Sequence, residues 1–262
     1  MKRRIIIITN AGVVGADNYC EGVFKDNANY IAFFKAAYGG YYSDSEIRTF
    51  DKPSKAEVRK ELNNLSIDGI DFSILIFCGH GWYSTVSSSN IFILNDRKEE
   101  IDSLEFRVGA KKRIIIEDNC REPYQEYITE SLIKSFSAMA LSDGYRRQVN
   151  PEQCKAYYNN KIINCPQQII IGQACSVGEV AGDSPRSGGY YSSSLLKQTI
   201  RTAEVDLQSF DLSKNYKTYN FPLSHNNAIP LVKNLSGNTQ NPQIEKPRVA
   251  DSKDYLPFAV IA

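Results

Sequence analysis

Two residues able to do nucleophilic chemistry stand at the ends of apolar runs. Phe72-Ser73-Ile74-Leu75-Ile76-Phe77 leads into Cys78-Gly79-His80-Gly81, and Arg113-Ile114-Ile115-Ile116 leads into Glu117-Asp118-Asn119-Cys120. A thiol beside an imidazole forms a nucleophile and base pair, and a cysteine needs little more to attack a carbonyl carbon. Cys120 would be the nucleophile and His80 the general base and acid, with the backbone N–H groups of Gly81 and Cys120 holding the oxyanion. Taken singly, each residue has a plainer reading. A histidine between two glycines fits a strand-end turn, and Cys120 is one of six cysteines, at 20, 78, 120, 154, 165 and 175. The pair says more, because the 40 residues from 80 to 120 suit one crossover between neighbouring strands.

For the pair to meet, both runs must be strands of one parallel sheet. Short apolar runs bounded by glycine or polar residues read as strands buried on both faces, and open α/β sheets keep their sites at the carboxyl edge. The order before His80 agrees: strand Ile5 to Thr9, helix Lys25 to Ala37, strand Glu46 to Phe50, helix from a Ser54/Glu57 capping box through Leu65, strand Asp71 to Cys78. Such alternation requires a parallel sheet with right-handed crossovers. Ile91 to Leu94 with the acidic turn 95–102 reads as a hairpin, Lys111 to Asp118 as the fourth main strand and Gln168 to Gly172 as the fifth. Ser192 to Arg201 and Ala228 to Leu235 read as helices, and 203–220 as a loop. Gln240 to Ile244 and Leu256 to Val260, each beside a proline, suit a sheet edge. Residues 121–165, Tyr-rich and weakly helical from Tyr127 to Leu141, read as an insertion or surface excursion.

Composition bounds the function. The chain has 262 residues, 42% of them hydrophobic, enough for one large core, and 1–262 reads as a single domain. No stretch approaches the ~18 apolar residues of a membrane span. Thirty-one basic against thirty acidic residues leave a net charge of +1, so no global field favours nucleic acid or membrane as partner. Six cysteines without a CxxC pair, and only two histidines, argue against zinc and for reduced thiols in the cytoplasm.

The two runs ending in His-Gly and Asp-x-Cys resemble the signature blocks of clan CD cysteine peptidases, most nearly the caspase-like branch with metacaspases and bacterial orthocaspases. Gly22 to Ala28 is similar to that family's step into its first helix. Gln173-Ala174-Cys175, Glu179, Ala181 and Gly188-Gly189-Tyr190-Tyr191-Ser192 resemble its later strand, Ala-Cys turn and Gly-Gly-aromatic helix start. The tail from Gln240 to Phe258 resembles those of bacterial members. The resemblance implies a three-layer α/β/α sandwich and a cysteine endopeptidase. Gln-Ala-Cys is also the nucleophile signature of animal caspases, but Cys175 lies 95 residues beyond His80, lacks a following Arg-Gly, and reads as structural.

The resemblance further implies a specificity pocket. In metacaspases aspartates two positions before the nucleophile and at the start of the first helix hold a basic residue; here these are Asp118 and Asp26. Two carboxylates around one desolvated cation favour Arg or Lys and repel Asp. Each also has a structural reading, as an acceptor of backbone N–H groups or a helix-start charge. Cys78 stands where many metacaspases have Ser, weakening one polar wall, and Asn119 replaces a common second Cys. Asp96, Asp102, Glu99 and Glu100 match the family's calcium site poorly, so no calcium and no other cofactor is expected. The expected partners are protein or peptide substrates and an activating partner or second messenger, with the chain a monomer. A regulated role in bacterial defence or cell death is what the resemblance implies. Residues 145–165 and 203–220 are candidates for a regulatory contact or self-cleavage, with Arg146, Arg147, Arg201 and Lys214 as cut sites, although solvated loop is the plainer reading. A catalytically silent docking module and a transpeptidase of the same clan are the alternatives.

Overall fold

A computed structural model describes residues 1–123, 150–209 and 217–261. In chain order the elements are β1 (Arg3–Asn10), α1 (Gly22–Lys35), β2 (Ile47–Asp51), α2 (Lys55–Ile67), β3 (Phe72–Gly79), β4 (Gly81–Ser84), β5 (Ser89–Ile93), β6 (Glu100–Asp102) and β7 (Lys112–Asp118). There follow α3 (Pro151–Asn164), β8 (Gln168–Gln173), β9 (Asp183–Ser184), β10 (Gly188–Gly189), α4 (Tyr190–Ser209), β11 (Lys217–Asn220), α5 (Phe221–Leu235), β12 (Gln243–Glu245) and β13 (Pro257–Ile261).

Six strands form the main sheet in the order β12-β8-β7-β3-β1-β2, all parallel except β12. The isoleucine runs fall into register across it: Ile5 pairs with Ile74, Ile74 with Ile114, and Ile114 with Ile170. Side chains alternate between faces, so each run supplies two cores. Ile5, Ile7, Ile74, Ile76, Ile114, Ile116 and Ile170 pack with Tyr30, Phe34, Tyr158, Leu195, Val232 and Phe258 from α1, α3, α4, α5 and β13. Ile6, Ile8, Leu75, Phe77, Ile115 and Ile171 pack with Val58, Leu62 and Leu65 of α2 and with Phe92, Ile101 and Phe106. Burial on both faces is why these runs lack polar alternation. The result is the expected α/β sandwich, with a small antiparallel sheet of β4, β5 and β6 beside α2.

Several boundaries and assignments differ from the sequence reading. The hairpin around residues 91–102 is a three-stranded sheet, because β4 starts directly at Gly81. Residues 151–164, inside the expected excursion, are helix α3, whose Cys154, Tyr158 and Ile162 enter the core. Asn150 caps it through the N–H groups of Glu152 and Gln153, and Pro151 fixes its first turn. The weak helical pattern from Tyr127 to Leu141, with Arg146 and Arg147, lies outside the described residues, as does Lys214. The expected loop 203–220 is in part the last turns of α4 and strand β11, and Arg201 sits on α4. α5 begins at Phe221, since Asn220 caps it by accepting the Leu223 N–H. β12 edges the main sheet as expected, whereas β13 pairs with β11 in a separate two-stranded sheet.

The chain begins in mid-sheet. β2 lies on one side of β1 and β3 on the other, so the winding reverses at the carboxyl ends of β1 and β3. A crevice opens at such a reversal. The two strand ends touch there: a β-carbon on Gly79, which has φ +149°, would overlap the Asn10 carbonyl oxygen.

Candidate functional site

β3 delivers Cys78 and His80, and β7 delivers Asp118 and Cys120. Cys78 and Asp118 are the last paired positions of the two parallel strands, and His80 and Cys120 each follow two residues later. The two ends stay together beyond the ladder. A β-carbon on Gly81 would come 2.7 Å from Asn119 Nδ2, and that amide donates to the Cys120 carbonyl at 2.6 Å. The two strand ends are therefore adjacent.

His80 is fixed on three sides. Its carbonyl accepts the Ile93 N–H at 3.0 Å, tying it to β5. Its Nε2 is buried without a hydrogen bond, and a β-carbon on Gly12, a left-handed glycine in the loop after β1, would come 2.6 Å from that nitrogen. Burial lowers the imidazole pKa, opposed by the carbonyls of Ala11 and Asn18 and the Asp183 carboxylate, with Lys52 adding to the lowering. A neutral ring suits a base.

Burial pushes the Cys120 thiol up to about 11. Its Sγ donates to the Ala181 carbonyl at 3.8 Å, and among the described residues it forms no hydrogen bond to His80. The resting groups are thus a thiol turned to Ala181 and a neutral imidazole. The Cys120 backbone N–H has no hydrogen-bond partner among the described residues, as an oxyanion donor requires.

Asp26, on α1, and Asp118 come together. One oxygen of each and the Cys78 sulfur lie within 4.8 Å of one another, all three residues buried. Both Asp26 oxygens accept the Gly189 N–H, at 3.0 and 2.9 Å. Asp118 Oδ2 accepts the Ser192 N–H at 2.9 Å and its hydroxyl at 2.5 Å, and Cys78 Sγ lies 3.7 Å from that hydroxyl. Among the described residues neither carboxylate has an ion-pair partner. Burial pushes the Asp118 carboxyl up to about 6, and burial with the charge of Asp118 pushes Asp26 well above the usual range. The trio is also the one group of metal-ligand type found among the described residues, but both Asp26 oxygens and Asp118 Oδ2 already accept N–H or O–H donors. The acidic turn is dispersed: Asp96 pairs with Lys52, Asp102 caps Leu104, Glu99 accepts from Lys55 and Glu100 from Trp82.

Cys175 lies against the Cys120 loop, fully buried, its sulfur donating to the carbonyls of Asn119 and Glu179. Burial raises its thiol far above the ordinary value. Arg121 joins these parts, donating to Cys175 O at 3.0 Å and to Asn90 Oδ1 at 2.9 Å, while Asn90 and Gln173 donate to buried Glu117.

The caspase domain family model matches residues 2–252. The chain belongs to the caspase-domain family. This caspase domain shares its fold with the protein GSU0716 of Geobacter sulfurreducens, at 14% identity and TM-score 0.56 over 98% of this chain and 97% of that one. It also shares it with caspase-1 of Spodoptera frugiperda, at 11% identity and TM-score 0.53 over 93% and 86%. No curated protein is significantly similar to it in sequence. A caspase domain of clan CD is a cysteine peptidase domain, and its substrates are proteins or peptides.

Sequence reasoning missed Asp183, Asn90, Arg121 and Glu117 as parts of the site. Asp183 stands in a stretch without periodicity, and its neighbours come from residues 22 and 80, so only the folded chain assembles them.

Proposed function

We propose that this caspase domain is an endopeptidase cleaving after Arg or Lys, with Cys120 as nucleophile and His80 as base and acid. His80 takes the Cys120 proton as sulfur attacks the scissile carbonyl carbon, and the Gly81 and Cys120 N–H groups hold the oxyanion. The imidazolium returns the proton to the leaving amine, and water then releases the acyl group by the same route. The observation that carries the reading is the buried, cation-free pair Asp26 and Asp118 beside the end of the Cys120 strand. A guanidinium or ammonium entering there would relieve the mutual repulsion of the two carboxylates, whereas an Asp side chain would add to it. Cys78 forms the third wall of this pocket.

One observation favours a second reading. The Gly189 N–H already bonds both oxygens of Asp26, and Ser192 of α4 bonds Oδ2 of Asp118, so an entering cation would have to share or displace these donors. A silent docking module would have this arrangement permanently, and a regulated enzyme would open it when an activating partner or second messenger binds. The cysteine usage supports a cytoplasmic place, and the family resemblance a monomer acting in bacterial defence or cell death.

Fluorogenic peptides ending in Arg, Lys or Asp test the proposal. Arg and Lys peptides should be cleaved at least ~100-fold faster than Asp. Cys120→Ala should abolish cleavage, while Cys175→Ala should stay folded and retain it. No cleavage of any peptide would favour the docking module, and loss on Cys175→Ala alone would reassign the nucleophile.

A further inference from the structure

Asp183 is a carboxylate beside His80 with no role in the proposed reaction. It lies in β9, two residues after Ala181, whose carbonyl holds the Cys120 thiol, and in register with Gly189, whose N–H holds Asp26. Its Oδ2 accepts the Gly22 N–H at 2.9 Å, at the first residue of α1. A β-carbon on Gly22 would come 2.7 Å from that oxygen, so the backbone is drawn in close. Gly22 ends the loop that starts at Ala11 and walls His80 with Ala11, Gly12 and Asn18. The other end of the loop is pinned too, because Gly12 N–H donates to Asn10 Oδ1 and Asn10 Nδ2 donates to Ile93 O. Asp183 therefore closes a frame around the imidazole.

Charge adds to geometry. The groups facing His80 are Lys52, held by the Gly12 carbonyl and Asp96, and Asp183 from β9. Cys120 approaches from β7, with Cys20 nearby. Asp183 and His80 act on each other, the carboxylate favouring a protonated ring and the ring favouring an ionised carboxylate. Asp183 also opposes thiolate formation at Cys120, but there it ranks behind burial, Glu122 and Asp118.

We propose that Asp183 is a positioning residue, which fixes the loop walling His80 and stabilises the imidazolium formed when the ring takes the Cys120 proton. The inference rests on the dyad reading given above. When the proton moves from sulfur to ring, positive charge develops in a desolvated crevice, and a fixed carboxylate nearby lowers the energy of that state. Asparagine at 183 would keep an acceptor for Gly22 and lose the charge.

The chain has only two histidines, 80 and 225, so ring C2–H resonances report His80 directly. His225 is buried, its pKa lowered by burial to about 4, and its ring accepts from or donates to Tyr191 OH, which keeps the two signals apart. In the inactive Cys120→Ala background, Asp183→Asn should lower the His80 midpoint by about 1 pH unit, and Asp183→Glu should restore most of it. Asp183→Ser serves as a second neutral variant should the Asn form not fold. With Cys120 intact, Asp183→Asn should lower kcat about tenfold with a smaller change in KM, and shift the acidic limb of kcat/KM to lower pH. An unmoved His80 midpoint in both neutral variants, or an unmoved acidic limb, overturns the inference. If wild type cleaves no Arg or Lys peptide, the peptidase reading fails while the titration still decides what Asp183 does to His80.

Discussion

Asp26 and Asp118 face each other across Gly189. The Gly189 N–H donates to the first, and a β-carbon on Gly189 would overlap Oδ2 of the second. A side chain at 189 would therefore push the hairpin off both carboxylates.

Gly189→Ala should destabilise the fold by about 1–3 kcal/mol, the range for overpacking a filled site. Its KM for an Arg peptide should rise more than its kcat falls, because the change strikes the pocket and not the dyad. Thermal melts and steady-state kinetics check both. Equal KM in variant and wild type would separate Gly189 from substrate binding.

Asp118→Asn should trade activity for stability. Asparagine keeps an acceptor for Ser192 and removes one of two repelling buried charges, so urea denaturation at pH 8 should show a gain in stability. Cleavage after Arg should fall about 100-fold in kcat/KM. A variant both weaker in fold and unchanged in rate would contradict this.

The pH dependence of stability has a definite sign. Burial raises Glu117 from 4.5 to about 7 and Asp118 from 3.8 to about 6, so across these windows the folded state keeps protons that the unfolded chain has lost. Stability should fall as pH rises from 5 to 8. Glu117→Gln should flatten the upper part of that fall, by at most about 3 kcal/mol at pH 8. At the acid end the opposite case holds. Arg3 and Lys155 depress Glu46 to about 2, after its burial cost, so its contribution is full above about 4.5 and lost as pH falls towards 2. Urea midpoints at pH 3, 5, 7 and 8 should peak near 5.

Arg121→Lys tests the frame under the nucleophile. The guanidinium donates from Nε to Asn90 and from Nη1 to Cys175, and its carbon lies 5.3 Å from the Tyr83 ring centre. A lysine cannot span both acceptors. The variant should lose about 1–2 kcal/mol and, with Cys120 less firmly held, several-fold in kcat. Full retention of both would show that the loop is held by its backbone alone.

The sheet was legible because its strands are buried on both faces: four isoleucine runs gave four strands with ends within a residue or two. The Ser54/Glu57 box likewise marked α2, and the structure shows both of its reciprocal hydrogen bonds. The dyad candidates stood out as residues just beyond two strand ends, whereas the two aspartates were named only through the family resemblance, since apolar periodicity says nothing about Asp26. Helix α3 was missed because its buried Cys154, Tyr158 and Ile162 alternate with polar and aromatic residues that conceal the stripe. Asp183 was missed for a different reason. Its meaning comes from Gly22 and His80, distant in sequence, and no local pattern encodes that meeting.

The β9–β10 hairpin has a consequence for synthesis. A nascent chain emerging from the ribosome carries its imidazole by residue 80 and its sulfur by residue 120, yet Asp26 and Asp118 find their backbone partners only when Gly189 and Ser192 have followed. The chain through Ser192 must leave the exit tunnel before the two acids are clamped. Translation order thus leaves the acidic pair unclamped until the hairpin and the first turn of α4 have been made.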